Sequence, residues 1–205
     1  RNRTEAAVEK IEFIHHLNAS GDMDTLADVL QRDGRELVKS GHIELLGILR
    51  GLESDGFSAI QWGLIRELRG DILSIQGRWD EAEEEYAAAI PTAKKHKEAE
   101  TIARLLSARA DIAIKRGAMD DALELHRQAL EIQIAKRDAV GASRSYINMG
   151  YIFRRRRDTR HALEVYGNVE ELLDAETDPS LMDARVRLAS AFLEMGELDR
   201  ARDHA

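Results

Sequence analysis

The chain has 205 residues, a formal net charge of −8 and 33% charged residues. It has no cysteine, which excludes disulfides, zinc–thiolate sites and a thiol nucleophile. No apolar run approaches the ~18 residues that a bilayer span needs, and an acidic chain is a poor default surface for nucleic acid, whose phosphates require a positive field.

Only two prolines interrupt a sequence rich in Ala, Leu, Glu and Arg, so helix is expected throughout. With aromatics at 5%, aliphatic side chains must carry the packing. The chain opens at Arg1 rather than methionine, and a fragment or a processed product is expected. Residues 1–55 follow a short rhythm. FIHHLNASGDMDTLADVL and ELVKSGHIELLGIL each read as helix, Ser-Gly stop, helix, with helices of about three turns. The stretch SDGF (Ser54 to Phe57) is the expected break before a more regular region, residues 56–205.

That region repeats. GRWDEAEEEYAAAI begins at Gly77, GAMDDALELHRQAL at Gly117, RDTRHALEVYGNVE at Arg157 and GELDRARDHA at Gly196, steps of 40, 40 and 39 residues. Ala82, Ala122, Ala162 and Ala201 keep the step, as do the small residues Gly70, Ala110, Gly150 and Ala189. A large residue follows at Tyr86, His126 and Tyr166, then a small one at Ala89, Ala129 and Val169. Small residues are needed where two helices approach closely, because a larger side chain overpacks the contact. Glycine after the first helix can adopt the left-handed turn that stops it. Asp80, Asp120 and Glu197 stand near the next helix start, where negative charge complements the dipole. Arg157 occupies the turn position that is glycine in the other three copies, and adopting the turn costs it about 1 kcal/mol relative to glycine. A single hairpin cannot bury its apolar face, so the hairpins must stack.

The pattern of small and large positions, with its inner alanine in four copies and its large residue in three, runs from about Ile60 to Ala205 and resembles the tetratricopeptide repeat, in a form with longer helices than the usual 34-residue unit. The resemblance implies an all-α, right-handed superhelical solenoid of antiparallel helix hairpins. The repeats run at about 60–97, 98–137, 138–177 and 178–205, the last truncated, so the natural protein is expected to continue. The stretch HHLNASGDMDTLADVLQRDGRELVKSGHIELLGILRGLE resembles the helical linker of signal-transduction ATPases with numerous domains (STAND), through His15-His16, Gly21-Asp22, Gly34 to Leu37 and Gly41. That resemblance implies a sensor region of a cytoplasmic signalling or transcription regulator. No GxxxxGK[ST] phosphate loop occurs, so the ATPase itself does not lie in this chain.

In the tetratricopeptide family the first helix of each hairpin lines the concave groove. The resemblance then places Glu67, Asp71 and Ser74 there in the first repeat, and Arg104, Ser107, Asp111 and Lys115 in the second. Arg144, Asn148, Tyr151, Arg154 and Arg155 come from the third, and Asp183, Arg187, Ser190 and Glu194 from the fourth. Arg144, Tyr151 and Arg155 share one stripe by helix geometry alone. The groove is expected to turn from acidic to basic. Its basic part, Arg104, Lys115, Arg144, Asn148, Tyr151, Arg154, Arg155 and Arg187, either is solvated charge or grips a carboxylate or phosphate through arginine forks. Glu67 and Asp71 would repel a carboxylate at the first repeat, against a chaperone-tail receptor.

No metal or cofactor is expected. His15 and His16 point about 100° apart on a helix, His126 takes a packing position, and His161 belongs to the surface. The acidic run Glu81 to Glu85 reads as a solvated face at a helix start. Trp62 and Trp79 read as packing rather than ligand-stacking residues. No catalytic motif appears, so an enzyme is not expected. The reading is a non-catalytic interaction or ligand-sensing module whose partner is a protein, a peptide or an anionic small-molecule inducer. A stand-alone scaffold for a peptide or helix is the alternative, and nucleic-acid binding is less favoured. Dimerisation through the truncated end is a further expectation.

Overall fold

The computed structural model describes residues 2–175 and 181–204, and every regular element among them is helical. The chain divides into two compact units, Arg1–Glu98 and Ala99–Ala205.

The first unit contains α1 (Asn2–Ser20), α2 (Met23–Lys39), α3 (Leu45–Arg50), a single 3-10 turn at Ser54–Gly56, α4 (Ala59–Ile75) and α5 (Trp79–Lys95). Both Ser-Gly stops work as expected, with Gly21 and Gly41 at φ of 76° and 88°. The helices between them do not have the expected length. α2 has 17 residues, nearly five turns at about 3.6 residues each, and α3 has only six. The interior Asp33-Gly34 pair fails to break α2 because both residues are used in packing. Asp33 is buried and accepts hydrogen bonds from Lys10 of α1 at 2.7 Å and from Arg32 at 2.9 Å. A side chain at Gly34 would put its Cβ 2.7 Å from Leu68, so glycine lets α2 lie close against α4.

The short α3 is held from outside. Arg69, nearly buried on α4, donates to the carbonyls of Leu49 and Leu52, the orphan acceptors at and just past the helix end. Its guanidinium lies 4.7 Å from the Trp62 ring, which also stacks on Phe57. Trp62 is thus a structural platform. Ser58 and Gln61 form a reciprocal capping box that starts α4 just past the SDGF break.

The second unit contains α6 (Ala99–Arg116), α7 (Met119–Ala135), α8 (Ala139–Arg155), α9 (Thr159–Ala175), α10 (Met182–Met195) and α11 (Leu198–Asp203). α6 pairs with α7, α8 with α9 and α10 with α11 as hairpins, and α8 also packs on α7 and α10. The boundary expected between residues 177 and 178 lies outside the described residues, as does Ala205.

The repeat positions do the work assigned to them. Ala82, Ala122, Ala162 and Ala201 are buried, as are Tyr86, His126 and Tyr166. A Cβ on Gly70 would stand 2.5 Å from the Tyr86 ring, and one on Gly150 would stand 2.2 Å from Tyr166. The repeat that carries alanine at this point, Ala110, carries the smaller His126 ring. Gly77, Gly117, Gly196 and Arg157 all adopt left-handed turns, Arg157 at φ 60°.

Two further left-handed residues, Lys97 (φ 58°) and Arg137 (φ 56°), close the other turns and were not expected. The reason is in the hydrogen bonds: Glu98 N reaches Ala93 O at 2.9 Å and Asp138 N reaches Gln133 O at 2.8 Å. This is the Schellman closure also seen after α4, α6 and α8. The bonds of the motif offset the left-handed strain, so these turns tolerate long, exposed cations.

A candidate groove in the second unit

The first helices of the hairpins, α6, α8 and α10, bring several of the expected residues together. Asn148 lies at the centre, 9% exposed. Its amide nitrogen donates to Asp111 of α6 at 2.7 Å, and its amide oxygen accepts from Arg187 of α10 at 2.7 Å. The amide orientation is fixed by its neighbours, because a guanidinium can only donate and a carboxylate can only accept. Arg187→Asn148→Asp111 is therefore a directed relay across three helices.

Arg144 and Lys115 add positive charge around Asp111. Burial pushes the Asp111 carboxyl up, while Arg144, Arg187 and Lys115 pull it back. Arg144 is exposed and makes no side-chain hydrogen bond among the described residues. Three cations act on this one carboxylate. An anion entering from solvent would meet fixed donors there.

Behind this surface sits His126, fully buried, with neither ring nitrogen hydrogen-bonded. Its Nε2 stands 3.9 Å from Asp111 Oδ1, too far for a hydrogen bond. Burial, then the charges of Arg144 and Arg187, push its pKa down to about 4. The sequence identified this residue as a packing residue, and its burial agrees. The register carried a further signal. The preceding repeat has Asp71 and Tyr86 at the same positions, and there the tyrosine hydroxyl donates to Asp71 at 2.7 Å. With the shorter imidazole, Asp111 bonds across to the next hairpin instead.

Other expected groove residues go elsewhere. Arg154 is a tie between hairpins: it donates to the Ala191 carbonyl at 3.2 Å and pairs with Glu194. Arg155 is exposed, and Tyr151 is partly exposed on the same helix. Arg156 faces the other way and holds Asp120 at 2.7 Å. Arg104 donates to Thr101 on its own helix at 3.0 Å, and Lys115 is exposed at the end of α6.

Ser107 is not a groove residue. It is fully buried and accepts from Gln133, which in turn accepts from Ser145, a polar network inside the core. Nor are the groove acids expected in the first repeat open. Glu67 is buried and clamped by Arg35 through two bonds of 2.9 and 3.0 Å, and Asp71 accepts from Tyr86. The expected acidic stretch is therefore neutralised at Glu67 by an arginine from α2, outside the repeats, which the repeat register alone could not reveal.

Consecutive helix hairpins that present polar first-helix residues from successive units define a helical-repeat binding module. The tetratricopeptide-repeat family model matches residues 64–132 and 101–175. These spans cover more than half of the chain, which belongs to the tetratricopeptide-repeat family.

The fold is similar to that of BtubC (BKLC) from P. vanneervenii, with a TM-score of 0.61 and 17% identity over 98% of this chain and 85% of that one. It is also similar to the apo form of RapI, with a TM-score of 0.61 and 14% identity, and to aspartyl phosphate phosphatase F from Bacillus subtilis, with 0.59 and 11%. This chain is covered completely in both comparisons but spans only 52% and 59% of those two proteins. At these identities the likeness is one of fold: all-α and tetratricopeptide-like. No curated protein matches the sequence. Among the described residues, no helix is long and apolar enough to cross a membrane.

Proposed function

We propose that the protein is a non-catalytic interaction and ligand-sensing module, and that the second-unit groove binds an acidic peptide or protein segment. The observation that carries this reading is the relay Arg187–Asn148–Asp111 with Arg144 free beside it. The relay holds Arg187 beside Arg144, which supports a cationic patch at the first-helix positions that face a groove in this family. In this reading Arg144, Arg187 and Lys115 meet acidic groups, and Tyr151 with Arg155 extends the contact along α8. Arg104 and Arg154 shape the wall through their own ties.

The resemblance of residues 15–53 to a STAND linker supports a place in a larger cytoplasmic signalling regulator. There, ligand in the groove would shift hairpin packing and be felt by a neighbouring catalytic module.

Selection from a random-peptide display library tests the reading. Acidic peptides are expected with the wild-type chain and none with the Arg144→Glu/Arg155→Glu variant, since both side chains are exposed and their reversal leaves the fold intact. Equal enrichment on both proteins would refute it. The regulator assignment is checked separately by sequencing the flanking coding region, where a phosphate-binding loop is expected upstream.

A further inference from the structure

We propose that Arg144 and Arg187 form an oxyanion seat in the groove, and that an anion bound there is accompanied by a proton on the buried His126 behind it. This inference rests on the groove reading above and adds the chemistry of one subsite.

The internal repeat supplies the contrast. In the preceding repeat the large residue donates to its aspartate, Tyr86 to Asp71 at 2.7 Å, and the hairpin is closed on itself. In this repeat the donor is replaced by an imidazole whose two nitrogens have no partner, 3.9 Å from the carboxylate. A buried polar ring without hydrogen bonds is costly, and its persistence needs a reason. The ring is one small movement from Asp111; a neutral imidazole carries one N–H, and a second proton makes Nε2 a charged donor to that carboxylate in either tautomer.

The groups that face His126 explain why it stays neutral in the free protein. From α6 comes Asp111, from α8 Arg144 and from α10 Arg187. On α7 itself the residues one turn away, Ala122, Leu123, Ala129 and Leu130, carry no charge. Burial disfavours the imidazolium, and the two guanidinium groups repel it. Asp111 alone would attract a proton, but Asn148 holds its Oδ1 beyond hydrogen-bond reach of the ring.

An oxyanion on Arg144 and Arg187 changes this balance in two ways. It cancels the two repelling charges, and it competes with Asn148 for Arg187, loosening the relay that holds Asp111 away. Asp111 can then close on a protonated His126, the same hairpin closure that Tyr86 and Asp71 make. A carboxylate side chain, a terminal carboxylate and a phosphate share the chemistry of the seat.

Sulfate is a suitable probe because it does not titrate between pH 4 and 8. The His126 ring is followed by NMR against pH in sulfate and in chloride at equal ionic strength, with His126→Gln to assign it. A rise of the His126 midpoint by about two units is expected, and linkage then makes sulfate bind about tenfold more tightly at pH 5 than at pH 7. His126→Phe should keep binding at pH 7 and lose that pH dependence. Sulfate that perturbs the Arg144 and Arg187 signals while the His126 midpoint stays put overturns the proton coupling and leaves the groove reading standing. Sulfate binding that survives Arg144→Glu unchanged overturns the seat itself. Failure of the groove reading is seen independently, in peptide display that does not respond to Arg144→Glu/Arg155→Glu.

Discussion

The pairing of a small first-helix residue with a large second-helix residue can be rewritten in one repeat. Two hairpins pair glycine with tyrosine, and a Cβ on either glycine would stand 2.5 or 2.2 Å from the ring, well inside ordinary contact at 3.4–4 Å. The middle repeat pairs Ala110 with His126. His126→Tyr alone should therefore meet the Ala110 Cβ much as the other tyrosines would meet an alanine. An overlap of more than an ångström in a packed core costs about 1–3 kcal/mol. Ala110→Gly alone should cost about 1 kcal/mol in helix propensity, with a further small loss for the space it opens. In the double variant the clash is gone, and the new phenol can donate to Asp111 as Tyr86 does to Asp71 at 2.7 Å. The double-mutant cycle should thus show favourable coupling of about 1–3 kcal/mol. Urea unfolding measures it through the midpoint, provided the slope is unchanged. Additive effects, or a His126→Tyr variant as stable as wild type, would refute the idea that size matching sets these positions.

Gly150→Ala should destabilise by about 1–3 kcal/mol through the Tyr166 clash, whereas Gly167→Ala, with nothing near its Cβ, should gain about 0.5–1 kcal/mol in thermal or urea unfolding. Arg157→Gly should stabilise by up to about 1 kcal/mol, because φ is 60° there and the side chain is exposed. Arg35→Met should cost about 1.5–3 kcal/mol by removing the forked donor from buried Glu67. His126 sets a pH dependence. Its folded pKa, about 4, lies below the ordinary histidine value of about 6.5, so the unfolded chain takes up the proton first and stability falls as pH drops from about 6.5 toward 4. That difference is worth about 3 kcal/mol, and His126→Phe should flatten this part of a stability-versus-pH curve. Asp33 adds a loss at lower pH. Burial raises its pKa, but Lys10 and Arg32 outweigh burial and hold it low, so its contribution is present above the ordinary carboxylate range and lost as pH falls through the folded value.

The sequence by itself determined the repeat. Its 40-residue step, the buried alanines, the turn glycines and even the left-handed Arg157 follow from local rules, because steric limits on φ and on helix approach act on residues close in the chain. The lengths of α2 and α3 were not legible in that way. The uninterrupted α2 depends on Lys10 and Leu68, far along the chain, which pack against Asp33 and Gly34. The same limit applied to the groove. The tetratricopeptide resemblance put Arg144, Asn148 and Arg187 on first helices, but only tertiary structure decided which charge meets which. It spent Arg154 on Glu194, closed Arg35 onto Glu67 and set His126 3.9 Å from Asp111. Periodicity reports which face a residue occupies. The partner it finds on that face depends on side chains 30 to 40 residues away, and in charged grooves that choice determines the chemistry.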